Sequence, residues 1–93
     1  MYRVIVLYDD VPQADSYAQH VELCKRVPNG VFRYGKVTGA PMGEPKHVFY
    51  AEWEFADKSA FDAATRSEEF MATGKDAYKR GFPVPTVEFV ELS

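Results

Sequence analysis

Hydrophobic and polar positions alternate along this chain in blocks whose period switches between two and about 3.6 residues. Tyr2-Arg3-Val4-Ile5-Val6-Leu7-Tyr8 is β-branched and aromatic with a single charge, which predicts a central strand covered on both faces. Asp9, Asp10 and Pro12 end it. At about 100° per residue, Tyr17, His20, Val21, Leu23, Cys24 and Val27 then fall on one side of a helix, with Gln19, Glu22, Lys25 and Arg26 on the other. Asp15 or Ser16 is the expected cap, and Pro28-Asn29-Gly30 stops the helix after about Val27. His20 is therefore aimed inward, among Leu23, Cys24 and Val27.

A second strand is expected from about Val31 to Thr38, with Phe32 and Tyr34 on one face and Val31, Arg33 and Val37 on the other. The breakers Gly39, Pro41, Gly43 and Pro45 make a hairpin loop. That loop lacks the spacing of a phosphate-binding loop, and no helix follows it. A third strand from about His47 to Phe55 puts Phe49, Ala51, Trp53 and Phe55 on one face and Val48, Tyr50, Glu52 and Glu54 on the other. With the hairpin centred near Met42-Gly43, Phe32 stands opposite Trp53, Tyr34 opposite Ala51 and Arg33 opposite Glu52. Asp57 caps a second helix with Phe61, Ala64 and Thr65 on one face, and Ser67 caps its continuation with Phe70, Gly74, Ala77 and Tyr78 inward. Phe82-Pro83-Val84-Pro85 is extended and stiff, and Thr86 to Leu92 makes the last strand.

The order β-α-β-β-α-β predicts an α+β, ferredoxin-like, four-stranded antiparallel sheet with its helices on one face. The other face would carry Val48, Tyr50, Val90, Leu92 and half of the first strand, more bare apolar surface than a monomer usually shows. A homodimer stacking sheet on sheet about a two-fold axis covers it.

Composition narrows the function class. The 93 residues make one domain, 1–93, of a size that buries roughly two-thirds of its unfolded surface, which again favours a partner subunit. A net charge of −3 argues against nucleic acid, which needs clustered Lys and Arg. One cysteine on the inward stripe is expected to be a buried thiol in a reducing compartment. The chain shows no signal peptide, and no apolar run approaches ~18 residues, so a cytoplasmic protein with no membrane partner is expected. Two histidines and one cysteine without ligand spacing predict no metal site.

The order of motifs resembles the EthD-like family of the dimeric α+β barrel superfamily, across nearly the whole chain. The opening strand ends in Val6-Leu7-Tyr8, His20 stands eight residues before Pro28, and the Phe32-Arg33-Tyr34 strand follows. Then come the Gly43-Glu44-Pro45 loop, the Ala51-Glu52-Trp53-Glu54-Phe55 strand with Asp57 after it, and the Ser67 segment leading to a final strand. The chain departs from the family pattern in having Glu22 where a proline is common, and only Tyr17 of an aromatic pair before the histidine. The resemblance implies the fold and a dimer. It also implies cofactor-independent chemistry of the isomerase, cyclase or monooxygenase kind, or an accessory role in a catabolic pathway.

His20 is the catalytic candidate, because an imidazole in an apolar cavity can move a proton during enolisation, cyclisation or isomerisation. The alternative is a core histidine satisfied by a backbone carbonyl or by the hydroxyl of Tyr17 or Tyr34. Tyr17, Phe32, Tyr34, Trp53, Tyr78 and Phe82 are candidates to line a pocket for a flat hydrophobic ligand, a hydrophobic carbonyl, aromatic or polyketide-like molecule, with no cofactor. Packing as plain core is the alternative for the aromatics. Arg33 and Glu52 form either a structural cross-strand ion pair or a polar cluster serving a ligand. Cys24 has His20 at i−4 as a possible base, or it is simply packed.

Overall fold

Inward alternation of Val4, Val6 and Tyr8 creates β1 (Tyr2–Tyr8), which lies inside the sheet as its composition predicts. The structure, a computed structural model, describes residues 1–93. After β1 come α1 (Ala14–Cys24), β2 (Gly30–Lys36), β3 (Phe49–Phe55), α2 (Lys58–Thr65), α3 (Glu68–Lys79) and β4 (Thr86–Glu91). The strands are antiparallel in the order β2-β3-β1-β4, the ferredoxin-like arrangement. No helix is long and apolar enough to cross a membrane.

The hairpin register is the one the face alternation demands. Phe32 pairs with Trp53, Arg33 with Glu52 and Tyr34 with Ala51. At the start of β2, Gly30 lies opposite Phe55 so closely that an added Cβ would stand 2.6 Å from the ring. Phe55 is fully buried, so only glycine leaves room for it. Asn29 just before it takes a positive φ of 66°, which turns the chain out of the helix segment.

Helix ends differ from the sequence expectation where side-chain length matters. The cap of α1 is Gln13, whose side-chain oxygen accepts from Ser16 N–H at 2.6 Å, so neither Asp15 nor Ser16 caps it. The longer glutamine reaches back over the first turn, and both expected caps lie inside the helix. α1 ends at Cys24, before Val27, and β3 starts at Phe49, not His47. The two later caps are as expected, Asp57 accepting from Ala60 N–H and Ser67 from Phe70 N–H. Ser67 also donates to the Ala64 carbonyl, which is why the second crossover breaks into two helices.

All three helices cover one face of the sheet. The core between them holds Val4, Val6, Tyr8, Phe49, Ala51, Trp53 and Phe55 from the strands. Tyr17, Val21, Cys24, Phe61, Ala64 and Phe82 meet them from the helical side. On the opposite face Ile5 and Leu7 are half-buried, so this chain alone covers β1 on one side only, contrary to the two-sided cover expected. On α3 the inward register also differs: Thr73 is buried, while Tyr78 is 86% exposed. Thr73 satisfies its hydroxyl by donating to the Phe70 carbonyl at 2.6 Å, so a threonine serves as a core residue there.

Candidate functional site

Two features of the helical layer carry chemistry: a polar seam between α1 and α3, and an apolar cavity between α3 and the sheet. The seam is built on His20, which is 4% exposed. Its Nδ1–H donates to Asp76 Oδ2 at 2.8 Å. Arg80, one turn further along α3, donates from Nε to the same Asp76 oxygen at 2.7 Å. Its Nη1 reaches back to Ser16 and Gln19 of α1 at 3.1 and 3.0 Å. Burial works against ionisation of Asp76, but the hydrogen bonds from His20 and Arg80 win and hold its carboxyl below the usual range.

This geometry makes Nδ1 the nitrogen that donates to the carboxylate. With Nδ1–H given to the carboxylate, Nε2 is the ring nitrogen to which no group of the chain bonds. The ring packs against two aromatics that also touch each other, Tyr17 at 5.4 Å and Phe82 edge-on at 5.3 Å. Phe82 is brought there by the turn that ends α3, where Gly81 takes a φ of 71° and the N–H groups of Gly81 and Phe82 close on the carbonyls of Tyr78 and Ala77.

The cavity has a volume of about 300 Å³ and is lined by Val6, Tyr8, Trp53 and Val87 from the sheet, with Thr65 of α2. Phe70, Met71, Thr73, Gly74 and Ala77 form its helical wall and Pro85 its rim. No charged side chain lines it. The size is at the low end for small-ligand sites.

The sequence-predicted residues are divided between these places. His20, Tyr17 and Phe82 meet at the seam, and Tyr17 is the hub of the aromatic cluster, touching Tyr8, Tyr34 and Phe49 as well. Tyr17 and Tyr34 line a second hollow beside the start of α1, with Pro12 and Phe49. Trp53 lines the α3 cavity, and its Nε1–H donates to the Cys24 carbonyl at the end of α1 at 2.8 Å. Phe32 stacks on Tyr34, packs tilted against Trp53 and lines no cavity. Tyr78 touches only a smaller hollow beside the α3 cavity, shared with Phe82 and Pro83. His20 lines none of these spaces.

Cys24 is packed: burial first, then the nearby Asp76, push its thiol up to about 12, so no thiolate exists at neutral pH. The Arg33–Glu52 pair is real and belongs to a network on the helix-free face of the sheet. Arg33 donates to Glu52 at 2.9 and 2.6 Å and to Glu54 at 2.9 Å, and Tyr50 Oη donates to Glu52 at 2.6 Å. The Nε of Arg3, 3.8 Å from Glu52, is buried without a hydrogen-bond partner. His47 is half-buried beside Asp9, 2.7 Å away.

Residues missed in the sequence are Asp76, Arg80 and Tyr8. Asp76 and Arg80 stand at i, i+4 on α3, a spacing common to any solvated helix face, so nothing local points to His20 56 residues away. Tyr8 was visible as an inward position of β1 through its alternation with Val4 and Val6.

No protein-family model matches the sequence, and no curated protein is significantly similar to it. Solved structures are similar over the whole chain. An ethyl tert-butyl ether D (EthD) family protein from Bacillus halodurans is 27% identical with a TM-score of 0.78, covering 100% of this chain and 99% of that one. A dimeric ferredoxin-like protein of unknown function from Jannaschia is 17% identical, TM-score 0.69, covering 98% and 97%. SnoaB, a cofactor-independent oxygenase from Streptomyces nogalater, is 14% identical, TM-score 0.56, covering 98% and 89%. The EthD-like resemblance read from the sequence is borne out, and the ferredoxin-like fold with it.

Proposed function

We propose that this EthD-like chain is a cytoplasmic, cofactor-independent homodimer that acts by proton transfer on a hydrophobic carbonyl compound, aromatic or polyketide-like. The observation that carries this reading is the setting of His20: Asp76 accepts the hydrogen bond from Nδ1, and Nε2 is left without a partner of the chain in an aromatic surround. Such a nitrogen can accept a proton from the carbon next to a carbonyl and return it elsewhere on the enolate, which is the common step of isomerases and cyclases. The apolar cavity beside α3 supplies the space for the substrate, and the description of SnoaB as a cofactor-independent oxygenase adds support for the class. The edge-on Phe82 ring stands against His20, so turnover requires that ring to give way to substrate.

One observation favours a second reading, a binding protein without turnover: His20 lines no cavity, and the cavity that exists is apolar. The deciding experiment is a crystal soak with aromatic lactones, quinones and polyketide-like ketones, run beside a turnover assay on wild type and His20→Ala. Conversion that His20→Ala abolishes, in a variant that stays folded and dimeric, supports catalysis. Turnover that survives His20→Ala overturns the role of His20, and density in the cavity with no conversion supports the binding reading.

The dimer rests on the helix-free face, where Ile5, Leu7, Tyr50 and Val90 are half-buried around the Arg33–Glu52 network. The Jannaschia neighbour is described as dimeric. Leu7→Glu should give a monomer by light scattering at micromolar concentration. A wild-type monomer under the same conditions refutes the assembly.

A further inference from the structure

Every polar group in the α3 cavity is already committed except one. Trp53 Nε1–H is given to the Cys24 carbonyl, Thr73 Oγ1 to Phe70 O and Thr65 Oγ1 to Phe61 O. Tyr8 is 2% exposed, yet its Oη makes no hydrogen bond within the chain. It is also not among the fully enclosed unpartnered atoms, of which Arg3 Nε is the single case. Oη therefore keeps a sliver of open space, and the α3 cavity is the one space Tyr8 lines. A phenol so nearly enclosed is poorly hydrated, and a ligand acceptor that reaches it gains a hydrogen bond the chain does not supply.

We propose that Tyr8 is the specificity-determining residue of this cavity: its hydroxyl donates to a single acceptor oxygen on a neutral aromatic ligand. The site then selects aryl ketones, lactones or quinones over hydrocarbons of the same shape, and rejects aromatic carboxylates. The inference rests on the reading above that the cavity is the ligand site, and it assigns the carbonyl oxygen to Tyr8. Two further facts agree with it. Burial, then the nearby Cys24, push the phenol up to about 12, so it stays a donor across the physiological range. With no charged side chain in the lining, a carboxylate would lose its hydration without receiving a counter-charge.

The sole tryptophan, Trp53, lines the cavity and reports on binding through its own emission. The test titrates the protein with 2-acetylnaphthalene, with 2-ethylnaphthalene, which has the same shape without the oxygen, and with 2-naphthoate. Wild type should bind the ketone about 5-fold more tightly than the hydrocarbon, the ordinary worth of one hydrogen bond. Naphthoate should bind more weakly than both. Tyr8→Phe should erase the ketone preference, leave hydrocarbon affinity unchanged and keep the melting temperature, since Oη bonds to nothing in the folded chain. A ketone preference that survives Tyr8→Phe overturns the inference, and so does equal binding of ketone and hydrocarbon by wild type. If none of the three quenches Trp53, the cavity is not a ligand site, and the reading on which the inference rests fails first.

Discussion

The seam and the cavity lie on adjacent flanks of α3 and solve opposite problems. At the seam, polar groups are gathered and linked: His20 Nδ1 to Asp76, Asp76 to Arg80, Arg80 to Ser16 and Gln19, with only Nε2 of His20 left over. In the cavity there is room and almost no polarity, and the one free polar atom belongs to Tyr8. A titratable residue and a space for substrate are thus different things in this fold, although both grow from the same helix. Thr73 and Ala77 face the cavity while Asp76, between them, faces α1. A one-residue step around the helix separates a ligand wall from an ion-pair wall.

Trp53 joins the two regions, because its ring lines the cavity and its indole N–H holds the end of α1. Trp53→Ala should have the largest effect, a loss of about 3–5 kcal/mol in urea unfolding, a large part of a typical domain's stability. A loss under 1 kcal/mol would mean that the regions are independent. Asp76→Ala acts on the seam alone. It leaves buried Nδ1–H and Arg80 without their acceptor and should cost about 2 kcal/mol, while Trp53-detected binding of 2-acetylnaphthalene stays within a factor of two. Weakened binding in that variant would show the two flanks to be one site.

Gly74→Leu acts on the cavity side. An added Cβ meets nothing within 4 Å, so the side chain has room. Removing glycine from the interior of α3 should raise stability by about 0.7 kcal/mol, while the new side chain occupies space that probe ligands need. Higher stability with lower ketone affinity places the ligand beside Gly74, and unchanged affinity would move it elsewhere. The smallest effect concerns acid. Asp76 ionises below its ordinary value of 3.8 when folded, so its contribution to stability is present above that value and is lost as pH falls through the lower folded value. Unfolding free energy measured from pH 5 down to pH 2 should fall less steeply for Asp76→Asn than for wild type, and equal slopes would show that the carboxylate is not held by His20 and Arg80.

Much of the fold was legible in the residues because it depends on neighbours in sequence. Alternation assigned the strand faces and the Phe32–Trp53 register, and Asp57 and Ser67 announced their helices, since a cap bonds to an N–H three residues on. The errors were equally local: Gln13 displaced the shorter expected caps, and α3 turned Thr73 inward and Tyr78 out. The candidate site was only half legible. That His20 points inward follows from the period of α1, and that Tyr8 points inward follows from the period of β1.

What those side chains meet was settled by tertiary structure. Asp76 reaches His20 because α3 docks beside α1 at a distance and rotation that no local pattern encodes. The cavity lies where Gly74 and Ala77 of α3 and Val87 of β4 line one space. The sequence by itself determined the order of the elements, the face each strand turns to the helices and the identity of the inward groups, since these depend on periods of two and 3.6 residues. Which inward group is answered by another and which opens on empty space depends on how whole elements pack, and only the folded chain decides that.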